Sequence, residues 1–228
     1  MIDVSDSLRI PDKATAPDER TLAFVRVNTL TGEKHRISLV DQYEAVARFR
    51  LNQSVPKNVA IHFETAKNLY LYAWFVYRFY PVAEQHALST LEYALRVRQP
   101  EFVESYTQKH RRGTPPGLGA LLKTAINNGL IRSDRFPQKY EWALRRAKVR
   151  FQIEHMERMI RDGLTEDIYD DSDVVPSEDD LNFDWASNIL KHVPDLRNIY
   201  AHGSSMLVPS VLHTFDVATG MVNQLYPE

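Results

Sequence analysis

The spacing of apolar residues predicts that most of the chain is helical. After Pro56, apolar side chains recur at intervals of three and four residues, which places them on one face of a helix ending near Tyr80. The same period continues along the chain. It predicts further helices at about 41–51, 82–97, 100–109, 118–128, 139–162, 181–192 and 206–225. The helix at 181–192 is expected to restart or kink at Pro194 and to continue through residue 201. We therefore predict an all-α fold, an up-and-down helical bundle.

The period differs near the N-terminus, where two short runs rich in β-branched residues, 22–28 and 35–40, flank Gly32. Such runs around a glycine predict a β-hairpin. An isolated hairpin is marginally stable in water, so we expect it to pack on the helical body. Residues 1–20 contain prolines and many charges and are expected to be loosely ordered. The predicted organisation is an extension with a hairpin at 1–40 and a helical bundle at 41–228.

The charges are distributed unevenly, although the formal net charge is only −2. Residues 41–163 hold 20 Lys and Arg against 12 Asp and Glu, whereas residues 164–180 hold eight acidic side chains and no basic one. We predict that the acidic segment is a flexible loop. The basic body suits a polyanion such as RNA and, equally, a simply solvated surface. Its densest cluster, the candidate substrate-binding set, is Arg145, Arg146, Lys148 and Arg150.

Several classes of protein are excluded by what the chain lacks. It has no cysteine, which excludes disulfides and thiolate metal sites and fits a reducing compartment. The first residues lack the basic flank and apolar run of a signal peptide. The most apolar stretch, 69–83, is too short to span a bilayer. We therefore expect a cytoplasmic protein with no membrane partner.

The sequence also lacks the common signatures of catalytic and cofactor-binding sites. There is no phosphate-binding or dinucleotide-binding glycine loop, no zinc-protease motif and no nucleophile elbow. The last three histidines of the chain, His192, His202 and His213, are ten and eleven residues apart, which is not a metal-ligand spacing. We expect neither a metal nor a cofactor.

The most sharply placed polar groups are Arg197, Asn198 and His202. On a helix, Asn198 and His202 share a face, while Arg197 is rotated from His202 by about 140°. A neutral imidazole can take a proton from a hydroxyl, and a guanidinium can hold two phosphate oxygens. Together they suit attack of an RNA 2′-hydroxyl on the adjacent phosphate. In the structural alternative, Arg197 pairs with Asp195 or another carboxylate and His202 caps the helix.

These residues resemble the R-x4–6-H motif of HEPN domains, with four residues, starting at Asn198, between Arg197 and His202. Two upstream stretches add to the likeness. Residues 91–96 (LEYALR) are similar to the second bundle helix of such domains, and the segment from Gly117 to Ile131 is similar to the one that often follows it. The resemblance covers roughly residues 55–225 and leaves out the hairpin.

The resemblance implies a homodimeric helical bundle in which the motifs of two copies face each other. It implies a metal-independent endoribonuclease, a toxin or phage-defence effector, with Arg197 and His202 catalytic and Asn198 assisting. An antitoxin is then the protein partner. Some toxins of the family carry a modified tyrosine two residues after the histidine; this chain has Ser204 there, so we do not expect that regulation. The alternative comes from members without catalysis, which bind a nucleotide or a protein partner.

Overall fold

The fold is an all-α bundle with a small two-stranded hairpin near the N-terminus, as predicted. The computed structural model describes residues 6–28, 31–110, 113–201 and 211–228, with side chains given up to Ile199 in the third range. The elements are β1 (Val25–Val27), β2 (Lys34–Arg36), α1 (Leu39–Ala47), α2 (Lys57–Tyr72), α3 (Phe79–Arg98), α4 (Pro100–Lys109), α5 (Leu118–Asn127), α6 (Lys139–Asp162), α7 (Glu178–Leu181), α8 (Trp185–Ala201) and α9 (Leu212–Leu225).

The hairpin is shorter than the apolar runs that predict it. β1 and β2 are antiparallel, with Val25 opposite Arg36 and Val27 opposite Lys34. Gly32, with φ of 71°, lies in the connection, where a left-handed conformation favours glycine. The Phe24 ring lies 6.0 Å from that of Tyr77, between ring centres. The hairpin therefore contacts the helical body, as expected from its small size.

The described part of the N-terminal segment is anchored, contrary to the expectation of loose order. Asp18 is buried, and its backbone N–H donates to the Trp74 carbonyl at 2.9 Å. Its carboxylate accepts from the Tyr77 backbone N–H at 3.1 Å and from the Arg20 side chain at 2.9 Å. The charged residues of this segment, which led us to expect loose order, instead bind it to the turn between α2 and α3.

Two helix boundaries differ from the prediction for local reasons. α1 begins after Ser38, which is the N-cap, while Asp41 is the third helical residue of a capping box with it. The helix predicted after Pro56 does not extend to Tyr80. α2 ends at Tyr72 and a turn leads to α3, which contains Pro81 in its first turn, a position that tolerates proline.

α3 is the central helix, packing against α2, α5, α8 and α9. One part of the core surrounds its C-terminal half, including Leu91, Leu95 and Met221. The other part surrounds Phe215 of α9, whose ring meets those of Phe49, Phe63 and Tyr70. Most of the aromatic residues between 70 and 80 are thus core residues, namely Tyr70, Trp74, Tyr77 and Tyr80.

The C-terminal helices are divided differently from the prediction. α6 matches the predicted 139–162 and ends at Gly163, whose φ of 66° closes it. The predicted helix from 181 begins later, as α8 at Trp185, because the Asp184 side chain accepts from the Ser187 backbone N–H at its start, and the short α7 precedes it. α8 continues through Pro194 to Ala201. The predicted start of the last helix, at 206, lies outside the described residues.

In the described ranges, no helix combines the length and apolar character that crossing a bilayer requires.

Candidate functional site

Arg197 lies where α8 packs against α3. Its Nε is 3.2 Å from Oε2 of Glu92, whose side chain is only 7% exposed, while the Arg197 side chain is 34% exposed. The arginine thus approaches the carboxylate from the surface and leaves part of its guanidinium accessible. The site has one buried end, at α3, and one open end.

Glu92 also binds Arg96, one turn further along α3, through its other carboxylate oxygen. The Nη2 of Arg96 additionally donates to the Pro116 carbonyl at 3.3 Å. Two guanidinium groups therefore share one carboxylate, and this group of three side chains, the Glu92 cluster, carries a net positive charge. A cationic site with an accessible guanidinium is suited to an anion such as a phosphate.

Both arginines of the Glu92 cluster are partly exposed, the Arg197 side chain by 34% and the Arg96 side chain by 39%. Within the described residues, Glu92 is the ion partner of Arg197, and neither Nη atom of Arg197 donates a hydrogen bond. Asn198 is exposed on the same turn of α8. An arginine held through Nε keeps its planar fork oriented, with both Nη atoms able to bind a second oxyanion.

His202 lies outside the described residues, as does Ser204. The structure therefore brings Arg197 and Asn198 together on one helix, and the pairing with the histidine stays a prediction. Helical backbone is described through Ala201, the residue directly before it.

The structural alternative for Arg197 holds in one respect, because the side chain does pair with a carboxylate elsewhere in the chain. That carboxylate is Glu92 and not Asp195, which is exposed. The pairing is compatible with catalysis, since the 3.2 Å contact is made by Nε and neither Nη atom donates a hydrogen bond within the described residues. Glu92 and Arg96 were not predicted as site residues. The available signal was a pair of opposite charges four residues apart within an otherwise apolar helical pattern.

The candidate substrate-binding cations of α6 are ion-paired in the structure. Arg145 binds Glu141 one turn earlier. The others bind the acidic segment: Lys148 Nζ lies 3.1 Å from Asp171 Oδ1, and Arg150 donates to both oxygens of Asp180 at 2.7 and 2.8 Å. Their binding of a substrate stays a prediction.

Asp180 is the main anchor of this acidic segment, and its side chain is fully buried. The Nε of Arg146 lies 3.5 Å from Asp180 Oδ1, and the Arg146 guanidinium lies 4.1 Å above the centre of the Phe183 ring. The Ser177 backbone N–H and hydroxyl also donate to Asp180. Hydrogen bonds from Arg150 hold the pKa of the Asp180 carboxyl well below its usual range. The segment at 164–180 is therefore a loop that ends in α7, and it is tied to α6 rather than free.

In the described part of the chain, no group of three or more His, Asp or Glu side chains is arranged to hold a metal ion. Comparisons with protein-family models, with curated proteins and with solved structures find no match for this chain.

Proposed function

We propose that this chain is a metal-independent endoribonuclease of the HEPN type, acting in the cytoplasm as a toxin or phage-defence effector. The supporting observation is the partly exposed Arg197 guanidinium, whose Nε pairs with buried Glu92 and whose terminal nitrogens donate no hydrogen bond within the described residues. The net positive charge of the Glu92 cluster favours a phosphodiester at this position.

In the proposed reaction, the 2′-oxygen of a ribose attacks the adjacent phosphorus and the bond to the 5′-oxygen breaks. His202 takes the proton from the 2′-hydroxyl, and the leaving 5′-oxygen takes up a proton, which yields a 2′,3′-cyclic phosphate and a 5′-hydroxyl. Arg197 stabilises the charge that develops on the phosphoryl oxygens. Asn198 orients the imidazole or binds the phosphate.

Cleavage of labelled RNA by the purified protein in the presence of EDTA tests this proposal. We expect Arg197→Ala and His202→Ala each to lower the cleavage rate by about 100-fold or more, the range for loss of a general base or of a charge-stabilising group. Arg132→Ala, which removes an exposed arginine paired with Asp134, is the matched control and should leave the rate unchanged. No cleavage of any RNA at high protein concentration, or full activity in His202→Ala, would contradict the proposal.

A second candidate is a noncatalytic helical module that binds a nucleotide or a protein partner, and the paired cations of α6 favour it. Arg150 and Lys148 are neutralised by the chain's own acidic segment, so their presence does not require a polyanion. Growth of cells expressing the protein separates the two candidates. A nuclease should slow growth more than its Arg197→Ala variant does, whereas both forms of a binding module should be equally harmless.

A further inference from the structure

A cavity of about 520 Å³ lies between the N-terminal hairpin and the helical body. Its volume falls in the range of about 300–1,000 Å³ that is usual for small-molecule sites. The hairpin side contributes Phe24, Val25 and Ile37, and the helical side contributes Ala45 and Leu212, so the walls are mostly apolar. The cavity and the Arg197 site both involve α3 but share no residue, since Tyr80 near the start of α3 lines the cavity and Glu92 lies further along the helix. The role of the cavity is therefore independent of the proposed nuclease.

The polar residues at the base of the cavity are hydrogen-bonded to each other. Gln42 is buried in α1, and its Nε2 donates to the backbone carbonyls of Tyr70 and Leu71 at 2.7 and 3.3 Å. The Tyr80 hydroxyl donates to Gln42 Oε1 at 2.7 Å. Because these groups satisfy one another's hydrogen bonds, they form a fixed base of the cavity and need no hydrogen bond from a ligand.

The Tyr70 hydroxyl is the exception. Tyr70 is 6% exposed and lines the cavity, yet its hydroxyl makes no hydrogen bond within the described residues. The hydroxyl oxygen is not among the buried polar atoms that lack a partner, so it is open to the solvent that fills the cavity and can exchange that solvent for a ligand. The Tyr70 ring is held edge-on by Tyr80 and Phe215, with ring centres 5.4 and 6.0 Å away. Burial raises the pKa of Tyr70 to about 12, so the hydroxyl is a hydrogen-bond donor at neutral pH.

The charges near this hydroxyl favour a negatively charged acceptor. Arg48 and Arg26 both act on it with positive potential, and Arg26 also lines the cavity. The one carboxylate in the lining, Asp41, is already occupied. Its Oδ2 accepts from the Ser38 backbone N–H and hydroxyl at 2.8 and 2.5 Å, and its Oδ1 lies 3.3 Å from Arg26 Nη1.

We propose that this cavity binds a small apolar carboxylic acid. The carboxylate accepts a hydrogen bond from the Tyr70 hydroxyl and pairs with Arg26, whose guanidinium has nitrogens beyond the one facing Asp41. The apolar body of the ligand packs between Phe24 and Ile37 of the hairpin side and Leu212 of α9. Binding of the ligand would displace water from the apolar walls and replace water at the Tyr70 hydroxyl with a carboxylate.

Titration calorimetry of the full chain with 2-naphthoate at pH 7 tests the proposal. We expect saturable binding of one molecule per chain, weakened about tenfold or more in Tyr70→Phe, since a hydrogen bond to a charged group is lost. Tyr72→Phe is the matched control because Tyr72 lies on the same helix, is 54% exposed and is outside the cavity lining. Its affinity should equal that of the wild type. The neutral analogue 2-naphthamide should bind more weakly than the acid.

Two substitutions that fill the cavity from opposite sides complete the experiment. Ala45→Phe places a ring in the cavity from α1, and Val25→Trp places one from β1. Circular dichroism checks that each variant folds, so one variant remains informative if the other does not. Either folded variant should abolish binding. The proposal is overturned by absence of saturable binding at millimolar 2-naphthoate, by unchanged affinity in Tyr70→Phe or in a folded filled variant, or by equal binding of the amide.

Discussion

Glu92 lies on α3 among residues that pack in the core, and it is the shared partner of Arg96 and Arg197. A carboxylate with little exposure is retained only where cations or donors compensate its lost hydration. The two arginines do so unequally. Arg96 is on the same helix and adjoins Glu92 wherever α3 forms, whereas Arg197 reaches it only once α8 has docked.

This inequality leads to a prediction at the residue scale. Arg197→Ala should lower the free energy of unfolding by no more than about 1 kcal/mol, since its side chain is a third exposed and Arg96 still compensates Glu92. Glu92→Ala should cost about 2–3 kcal/mol, because both arginines lose a largely buried, charge-assisted partner. Urea denaturation of the two variants measures the difference. Equal losses would mean that Arg197 is as important for stability as the carboxylate itself.

At the scale of elements, the acidic segment and α6 form a single electrostatic unit. Their contacts join Asp171 to Lys148, Asp180 to Arg150, and Asp167 to both Arg158 and the buried His155 of α6. The segment contributes few buried apolar side chains, so these contacts and the capping box at Ser177 hold it in place. Its attachment should therefore respond to pH more than that of the apolar helices does.

Asp180 sets the direction of that response. Its pKa is lowered in the folded protein, chiefly by Arg150, so its stabilisation is complete above the ordinary carboxyl pKa of about 4 and is lost as the pH falls below it. We expect Asp180→Asn to destabilise the protein by about 2 kcal/mol at pH 7. The difference from wild type should shrink at pH 3. Denaturant unfolding at both pH values measures it.

Asp179→Asn is the control for this experiment, as an exposed neighbour in the same short helix. It should change the free energy of unfolding by less than about 0.5 kcal/mol at either pH. A gap between Asp180→Asn and wild type that is the same at pH 3 as at pH 7 would show that the carboxylate charge contributes nothing there.

At the scale of the whole molecule, the proposed nuclease needs a second copy of the chain. One motif per chain, together with the resemblance to HEPN domains, leads us to propose a homodimer with the two Arg197 residues near the interface. Light scattering on the purified protein should give twice the chain mass of 26.4 kDa across the working concentration range. A mass of one chain throughout that range would rule out a site built from two motifs.

The periodicity of apolar residues predicted the class of fold correctly. It was least accurate for the boundaries between helices. α6 was predicted to its end residues because its apolar period and the Gly163 terminator are local features. The break between α2 and α3 was predicted at Tyr80, eight residues after the end of α2 at Tyr72, because the aromatic residues continue through a turn that Asp18 stabilises from far away in the chain. The candidate site stays a prediction. Arg197 and Asn198 were chosen from their spacing and from the resemblance to HEPN domains. Glu92 was not chosen, because its spacing from Arg96 fits an exposed ion pair as well as a buried one, and its contact with Arg197 depends on the packing of α8.

The sequence by itself determined the helical class, the hairpin, the basic character of α6 and the choice of Arg197, Asn198 and His202 as candidates. These follow from short-range periodicity and from side-chain chemistry. Only the tertiary structure decided that Arg197 rests on Glu92, that Asp180 is buried against Arg150, and that Tyr70 faces a cavity under the hairpin. Such partners are far apart in the chain, and they meet only because helices with suitable apolar faces pack together and bring their polar groups along.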